Sequence, residues 1–252
     1  MYHNIAVPPP RGHAKMRGLY VTPRMFRFQM WYLRAAGFNV VSLHGILDFI
    51  RGEAMPGGPP GPPSGRASSS RLIALTFDDG YMDFYENAWP VLRSYGYPST
   101  VFLVPGLAGE ANLWDAEQLG TRKKILDWPK TRELAAGGVS LGAHTNTHPF
   151  LTRIPPERLK EEITGSRKTI EDRIGRTVEF FCYPYGDYNA EVVRQVREAG
   201  FLGATSVKRG FTCRGDDPFE LKRVPVRLNT WPLSFIYKLH SDYEIRKARN
   251  RF

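Results

Sequence analysis

Apolar and polar positions along the chain follow a pattern typical of strands and helices that alternate. Phe26, Met30 and Leu33 have helical spacing, and Gly37 ends that predicted helix. The apolar run 38–43 directly afterwards predicts a buried strand, and a short apolar segment at 2–7 predicts another. Later β-rich runs predict five more strands, at residues 72–76, 99–104, 139–143, 178–183 and 202–204.

Helical patterns at residues 83–95, 157–174 and 190–199 separate the later strands. Such alternation predicts an α/β fold with a parallel sheet and crossover helices. About seven strands fit a closed or nearly closed barrel better than a small open sheet. In either topology ligands bind at the carboxyl ends of the strands, so we look for chemistry there.

A proline-, glycine- and serine-rich stretch at 51–71 interrupts this alternation. Such a composition cannot pack a core, so we predict a mobile loop, with a polyproline ligand for a partner as the alternative. The 252 residues are 42% hydrophobic, with a mean hydropathy of -0.38, which excludes disordered, collagen-like and membrane-spanning classes. Two cysteines, Cys182 and Cys213, exclude a disulfide scaffold.

The chain carries 35 Lys and Arg against 25 Asp and Glu, a net charge of +10 that favours anionic partners. The cations are scattered except at 243–252, where we predict a solvated basic tail, with weak contact to a membrane surface as the alternative. Nucleic-acid binding is not expected, because no recognition helix or interleaved aromatic and basic motif is present. No apolar run of signal-peptide length lies near residue 1, which predicts a cytoplasmic protein if the start is natural and leaves localisation open otherwise.

Two neighbouring carboxylates, Asp78 and Asp79, follow one predicted strand, and Gly80 allows a tight turn after them. Neighbouring residues that leave a strand point in different directions. One carboxylate can therefore bind a cation while the other stays free to accept a proton. A solvated turn is the alternative interpretation.

Two histidines, His144 and His148, follow another predicted strand. An i, i+4 pair on one face of a helical turn lets both imidazoles reach one cation. With a carboxylate from the Asp-Asp segment they predict a two-His-one-carboxylate metal site that keeps positions for water and a substrate oxygen.

A third segment, Tyr183, Pro184, Tyr185 and Gly186, is an aromatic run that enters a turn. It can offer a stacking surface to a sugar and backbone N–H groups to an oxyanion, and a core strand with a plain turn is the alternative.

These three segments resemble, in family order, the motifs of the NodB-homology polysaccharide deacetylases, over roughly residues 72–239. The resemblance implies an irregular (β/α)7 barrel in one domain spanning 1–252. It further implies Asp78 as general base and the Tyr185 N–H in the oxyanion hole. It also implies that a divalent metal, usually zinc, is held by Asp79, His144 and His148.

Two positions depart from the family pattern. Many members have an arginine next to the catalytic base where this chain has Cys182. Arg223, in the segment 221–225, is a candidate to supply that cation, and a surface salt bridge is the alternative.

The general acid of the family is normally a histidine, and two candidates exist. His240 superficially resembles the usual motif but follows a predicted helix at 232–239. His3, in a Tyr-His pair, resembles the branch that deacetylates poly-β-1,6-N-acetylglucosamine, in which the acid motif lies at the start of the domain. We predict His3 on the strength of this resemblance. A histidine suits the role because an imidazolium with a pKa near 6.5 can donate a proton at neutral pH.

The expected activity is metal-dependent removal of N-acetyl groups from a saccharide that contains N-acetylglucosamine, which releases acetate. Two alternatives stay open. One is hydrolysis of another amide on the same barrel, in peptidoglycan, a chitin oligomer or a small cyclic ureide. The other is a non-catalytic carbohydrate-binding module.

Overall fold

The computed structural model describes residues 1–12, 15–53 and 71–249. Residues 54–70 of the predicted loop, and residues 250–252 of the predicted tail, lie outside the described residues. The strands are β1 (Asn4–Ile5), β2 (Tyr20–Val21), β3 (Asn39–Val41), β4 (Leu72–Ala74), β5 (Thr76–Phe77), β6 (Thr100–Leu103), β7 (Ser140–Ala143), β8 (Phe180–Cys182), β9 (Gly203–Arg209) and β10 (Leu221–Arg223). The helices are α1 (Pro23–Ala35), α2 (Leu43–Arg51), α3 (Trp89–Tyr95), α4 (Ala116–Leu119), α5 (Trp128–Ala136), α6 (Pro156–Lys160), α7 (Ser166–Ile174), α8 (Ala190–Glu198), α9 (Pro232–His240) and α10 (Tyr243–Arg249).

Strands β5 to β10 form one six-stranded sheet in sequence order, and every pair is parallel. Parallel neighbours need crossovers, and helices provide most of them. The sheet curls into a half-barrel, which confirms the predicted α/β barrel class. Strands β3 and β4 form a separate parallel pair that leads into β5.

The first residues of the chain lie beside β5. Tyr2 pairs in parallel with Phe77, while the Met1 nitrogen donates to the Val224 carbonyl (3.0 Å) and the Met1 carbonyl accepts from the Val226 N–H (3.0 Å). This segment therefore connects the two edges of the six-stranded half-barrel.

The predicted strand at 2–7 is shorter in the structure. Only β1 is regular strand, and it pairs with β2 instead of the main sheet. Prolines at 8–10 follow, and proline has no N–H to donate to a strand ladder.

Two of the predicted helices are interrupted. Each contains a π-helical turn, at Phe84–Ala88 before α3 and at Glu161–Gly165 between α6 and α7. Such turns carry one extra residue per hydrogen-bonded ring and occur frequently at functional sites.

An aromatic cluster anchors the amino-terminal segment in the core. The Tyr2 ring lies 5.2 Å from the Phe77 ring and 5.4 Å from the Phe26 ring, measured between centroids. The Tyr2 hydroxyl donates to Gln29 Oε1 (3.0 Å) on α1. Aromatic packing and a buried hydrogen bond thus fix the segment that carries His3.

The predicted solvated tail is helical over its described part. In α10 the buried Glu244 accepts from Arg209 Nε (2.7 Å) and pairs with Lys238. These two cations hold α10 against β9 and α9, while Arg246, Lys247 and Arg249 of the predicted basic tail are exposed. Among the described residues no helix combines the length and apolar character needed to cross a bilayer.

Candidate active site

Asp78 lies at the carboxyl end of β5, where it is buried and forms an ion pair with Arg223. Arg223 Nη1 and Nη2 lie 2.7 and 2.8 Å from the two carboxylate oxygens, and Arg223 Nε donates to the Ser206 carbonyl (2.8 Å). Arg223 is only 7% exposed, so the alternative of a surface salt bridge is wrong. It also contacts Cys182 Sγ at 3.4 Å, which places the cation from β10 beside the cysteine that departs from the family pattern.

This pairing controls the protonation of Asp78. Burial alone would raise the pKa of the carboxyl group, but the charge of Arg223, followed by the charge of His3 and the hydrogen bonds of Arg223, outweighs burial and holds the pKa below its usual value. Asp78 is therefore an ionised carboxylate at neutral pH.

Asp79 faces a different set of partners. Its φ of 73° turns the chain after Asp78, so the two carboxylates diverge. Asp79 Oδ1 lies 3.4 Å from Nε2 of both His144 and His148. Two ligand atoms at about 2.0–2.1 Å from a tetrahedral zinc ion lie about 3.3–3.4 Å apart, so this donor set fits such an ion.

A hydrogen bond on the other ring nitrogen, Nδ1, orients His144. Its Nδ1 donates to the Cys182 carbonyl (2.6 Å), which leaves the Nε2 lone pair directed at the Asp79 side. Metal-binding histidines typically have such a partner on their other ring nitrogen.

The segment from His144 to His148 is a loop, so the prediction of a helical turn is wrong. Thr145 and His148 have φ values of 65° and 63°, and the Thr145 hydroxyl accepts the His148 N–H (3.0 Å). The Gly106 N–H donates to the Asn146 carbonyl (3.1 Å), which ties the loop to the chain after β6. Left-handed residues, and not helical periodicity, bring the two imidazoles together.

The two candidate acids, His3 and His240, lie in different surroundings, and only His3 is close to Asp78. His3 Nε2 lies 3.7 Å from Asp78 Oδ2, and its side chain is 16% exposed. Burial lowers the pKa of His3, while the carboxylates of Asp79 and Asp78 oppose that shift. His240 instead hydrogen-bonds the Tyr32 hydroxyl (2.8 Å) between α1 and α9.

The third predicted segment forms a 3-10 turn, Pro184–Gly186, in which Tyr185 has a φ of 58°. Gly186 is required there, because a Cβ would lie 2.1 Å from Val207 Cγ2. Tyr183 is buried and its hydroxyl donates to the Phe219 carbonyl (3.0 Å), so it offers no exposed face to a sugar, contrary to the prediction. Pro184 is also buried, and Tyr185 reaches the surface.

Three aromatic residues line the site, and two of them, Trp114 and Phe150, were not predicted. Trp114 stacks on the His148 ring at 4.6 Å, and Tyr185 meets the same ring edge-on at 4.5 Å. Phe150 stacks on Tyr185 at 4.0 Å. The sequence analysis missed Trp114 and Phe150, because neither lies in a motif and only the folded loops bring them to the histidines.

A buried carboxylate next to this aromatic wall was also missed. Asp115 accepts from Asn112 Nδ2 (2.7 Å), and burial, reinforced by the charge of Asp79, raises its pKa to about 7.

Comparison with known proteins matches the same part of the chain. The model of the polysaccharide deacetylase family matches residues 65–204, more than half of the chain, and this span includes the Asp-Asp, His-His and Tyr-Pro-Tyr-Gly segments. The chain belongs to the polysaccharide deacetylase family.

Two curated relatives are similar to this chain over 158 and 162 residues. YxkH of Bacillus subtilis (strain 168) is 28% identical over 158 residues, which are 63% of this chain and 52% of YxkH. The poly-beta-1,6-N-acetyl-D-glucosamine N-deacetylase of Staphylococcus aureus (strain NCTC 8325 / PS 47) is 23% identical over 162 residues, 61% of this chain and 54% of that protein. The chain thus spans about half the length of the curated relatives it matches.

A solved structure shares the fold of this polysaccharide deacetylase. IcaB from Ammonifex degensii superposes with a TM-score of 0.73 at 24% sequence identity and covers 94% of each chain. At this level of identity the likeness establishes the barrel fold alone.

Proposed function

We propose that this chain hydrolyses the acetamide group of N-acetylglucosamine units in a saccharide and releases acetate. The observation that carries the proposal is the divergence of two adjacent carboxylates. Asp78 pairs with a buried guanidinium next to His3, whereas Asp79 converges with two imidazoles. A base and a ligand set thus lie side by side, as amide hydrolysis assisted by a metal requires.

Asp79, His144 and His148 would hold a divalent metal, and a carboxylate with two imidazoles suits zinc. When bound, the metal supplies a Lewis acid that polarises the acetyl carbonyl and makes water more acidic. Trp114 and Tyr185 pack against the His148 ring and limit the access of bulk water to this ligand.

The residues of the chain supply the proton transfers. Asp78, kept ionised by Arg223, takes a proton from the attacking water. The Tyr185 N–H donates to the oxyanion that forms from the acetyl carbonyl. His3 then gives a proton to the leaving nitrogen, so that the C–N bond breaks and a free amine and acetate result.

The identity of the substrate is supported by two observations. The name of the Staphylococcus aureus relative specifies a β-1,6-linked N-acetylglucosamine polymer, and this chain places a histidine from its amino-terminal segment beside Asp78. A β-1,6-linked saccharide is therefore the proposed substrate. Contact of the basic α10 with a membrane surface, through Arg246, Lys247 and Arg249, stays a prediction.

The proposal is tested by measuring acetate release from β-1,6-linked N-acetylglucosamine oligomers, chitin oligomers and peptidoglycan. We expect release from the β-1,6 oligomers by the wild type and by Asp172→Asn, a matched control whose carboxylate is exposed on α7. His144→Ala should release none. Acetate release only from chitin oligomers or peptidoglycan would contradict the proposed substrate. Saccharide binding without any acetate release would contradict the proposed hydrolytic activity.

A further inference from the structure

The second metal-ligating histidine of the proposed site lacks the support that the first one has. His144 is oriented through Nδ1 by the Cys182 carbonyl. For His148 the equivalent Nδ1 is buried, and no group in the described part of the chain pairs with it. Its ring position therefore depends on the backbone of the loop and on the rings stacked against it.

That backbone is itself strained. His148 and Thr145 both adopt left-handed φ values, which side chains other than glycine rarely do. Such conformations persist only when surrounding contacts hold them, so a contact that fixes this loop also fixes the ligand.

Glu162 provides that contact from the π-helical turn Glu161–Gly165. Glu162 is 4% exposed, and its carboxylate accepts two hydrogen bonds from Thr147, one from the main-chain N–H (2.9 Å) and one from the hydroxyl (2.5 Å). A bidentate acceptor fixes both the position and the rotation of Thr147, the residue immediately before His148.

The π-helical turn also brings its main chain close to the loop. The Asn146 side-chain amide donates to the Glu161 carbonyl at 3.4 Å. A Cβ on Gly165 would lie 3.0 Å from Asn146 Nδ2, so a larger residue would press on the loop. The π-helical turn thus contacts the loop 144–148 through both its main chain and its side chains.

We infer that Glu162 is a positioning residue of the metal site, which acts through Thr147 to hold His148 in its ligand geometry. The inference rests on the proposed function, since it assumes that His148 binds a metal. Glu162 hydrogen-bonds Thr147 and is not a member of the proposed ligand triad, so its effect is expected first in metal affinity.

The experiment measures the zinc dissociation constant of the purified full chain by competition with a chromophoric chelator. Removal of a residue that supports a ligand typically weakens metal binding by about 10–100-fold. We expect that loss for Glu162→Ala and a smaller loss for Glu162→Gln, whose amide oxygen still accepts one hydrogen bond. The matched control is Glu161→Ala, an exposed neighbour in the same turn, which should bind zinc like the wild type.

Thermal unfolding of the metal-free proteins separates positioning from stability. A purely structural role would lower the unfolding temperature and leave the zinc affinity of the folded protein unchanged, and that result would overturn the inference. If Glu162→Ala does not fold, the zinc affinity of Thr147→Val tests the inference instead. This variant removes one of the two hydrogen bonds to Glu162 and keeps the side-chain volume. Wild-type affinity in Thr147→Val would then overturn the inference, whereas a wild type that binds no zinc would overturn the proposed function itself.

Discussion

Asp78 and Asp79 are neighbours in the sequence, yet their carboxylates lie in different electrostatic surroundings. The negative charge of Asp78 is paired with the guanidinium of Arg223, and the carboxylate of Asp79 faces the imidazoles of His144 and His148. One residue is therefore suited to accept a proton and the other to bind a cation. The sequence could predict the pair of roles from the strand end, because adjacent side chains there must diverge.

Asp78→Asn should retain metal and lose hydrolysis. The amide keeps the shape of the side chain but cannot accept the proton of water, so kcat should fall by the ~10²–10⁴-fold that general-base catalysis supplies. Metal content by atomic absorption and acetate release are measured on the same sample. Loss of metal in parallel with activity would instead assign Asp78 to the ligand set.

Arg223→Gln should move the low-pH limit of activity upward. In the wild type the lowered pKa keeps Asp78 ionised as pH falls, and the stability of this pair is lost only when pH falls through that lowered pKa. Without the cation, burial dominates and raises the pKa, so Asp78 is protonated at higher pH.

The pH dependence of kcat/KM checks this shift, with Arg194→Gln, an exposed arginine on α8, as the control. Loss of one partner of a buried ion pair also destabilises a protein by about 3–5 kcal/mol, which denaturant unfolding measures. An unchanged low-pH limit in folded Arg223→Gln would refute the role of the guanidinium.

His3→Ala should reduce acetate release and leave the metal content unchanged, because His3 lies beside Asp78 and outside the ligand triad. His240→Ala is the matched control, since His240 contacts Tyr32 between two helices. Normal acetate release by His3→Ala, together with a loss in His240→Ala, would reverse the assignment of the general acid.

At the scale of elements, periodicity predicted the strands and helices of the barrel well and failed where distant contacts decide. The π-helical turns and the left-handed histidine loop depend on partners such as Glu162, which no local pattern reveals. Arg223 and Asp78 are 145 positions apart in the sequence, so only the curled sheet brings them together. The helix α10 was missed because its charges resemble a solvated tail, whereas the buried Glu244 anchors it.

Gly142 in β7 provides a test of packing at this scale. A Cβ at this position would lie 2.4 Å from the Phe102 ring and 3.0 Å from the Phe180 carbonyl in the neighbouring strands. Gly142→Ala should therefore destabilise the protein by about 1–3 kcal/mol, the usual effect of overpacking a core. Denaturant unfolding measures the change, and Gly18→Ala, where a Cβ meets no atom within 4 Å, is the control. Equal stability of the two variants would contradict the tight packing of the sheet.

At the scale of the whole molecule, the amino-terminal segment lies between the two edges of the half-barrel and places His3 beside Asp78. Met1 and Tyr2 bridge the two edges of the sheet through Val224, Val226 and Phe77. Only the resemblance predicted that His3 lies near Asp78, since no composition or periodicity places residue 3 next to residue 78, and the barrel strand predicted at 2–7 is reduced to a bridge between Tyr2 and Phe77. The half-barrel thus gathers Asp78, His3 and the proposed ligand triad at one end of the parallel strands.

The central claim is that hydrolysis requires a metal held by Asp79, His144 and His148. The most direct test measures metal content and acetate release from a β-1,6-linked N-acetylglucosamine oligomer after chelator treatment and after addition of one equivalent of Zn²⁺. We predict that the metal-free protein stays folded and inactive, that zinc restores acetate release, and that zinc restores none to His144→Ala. Full acetate release by the metal-free wild type, or by metal-free His144→Ala, would contradict this account.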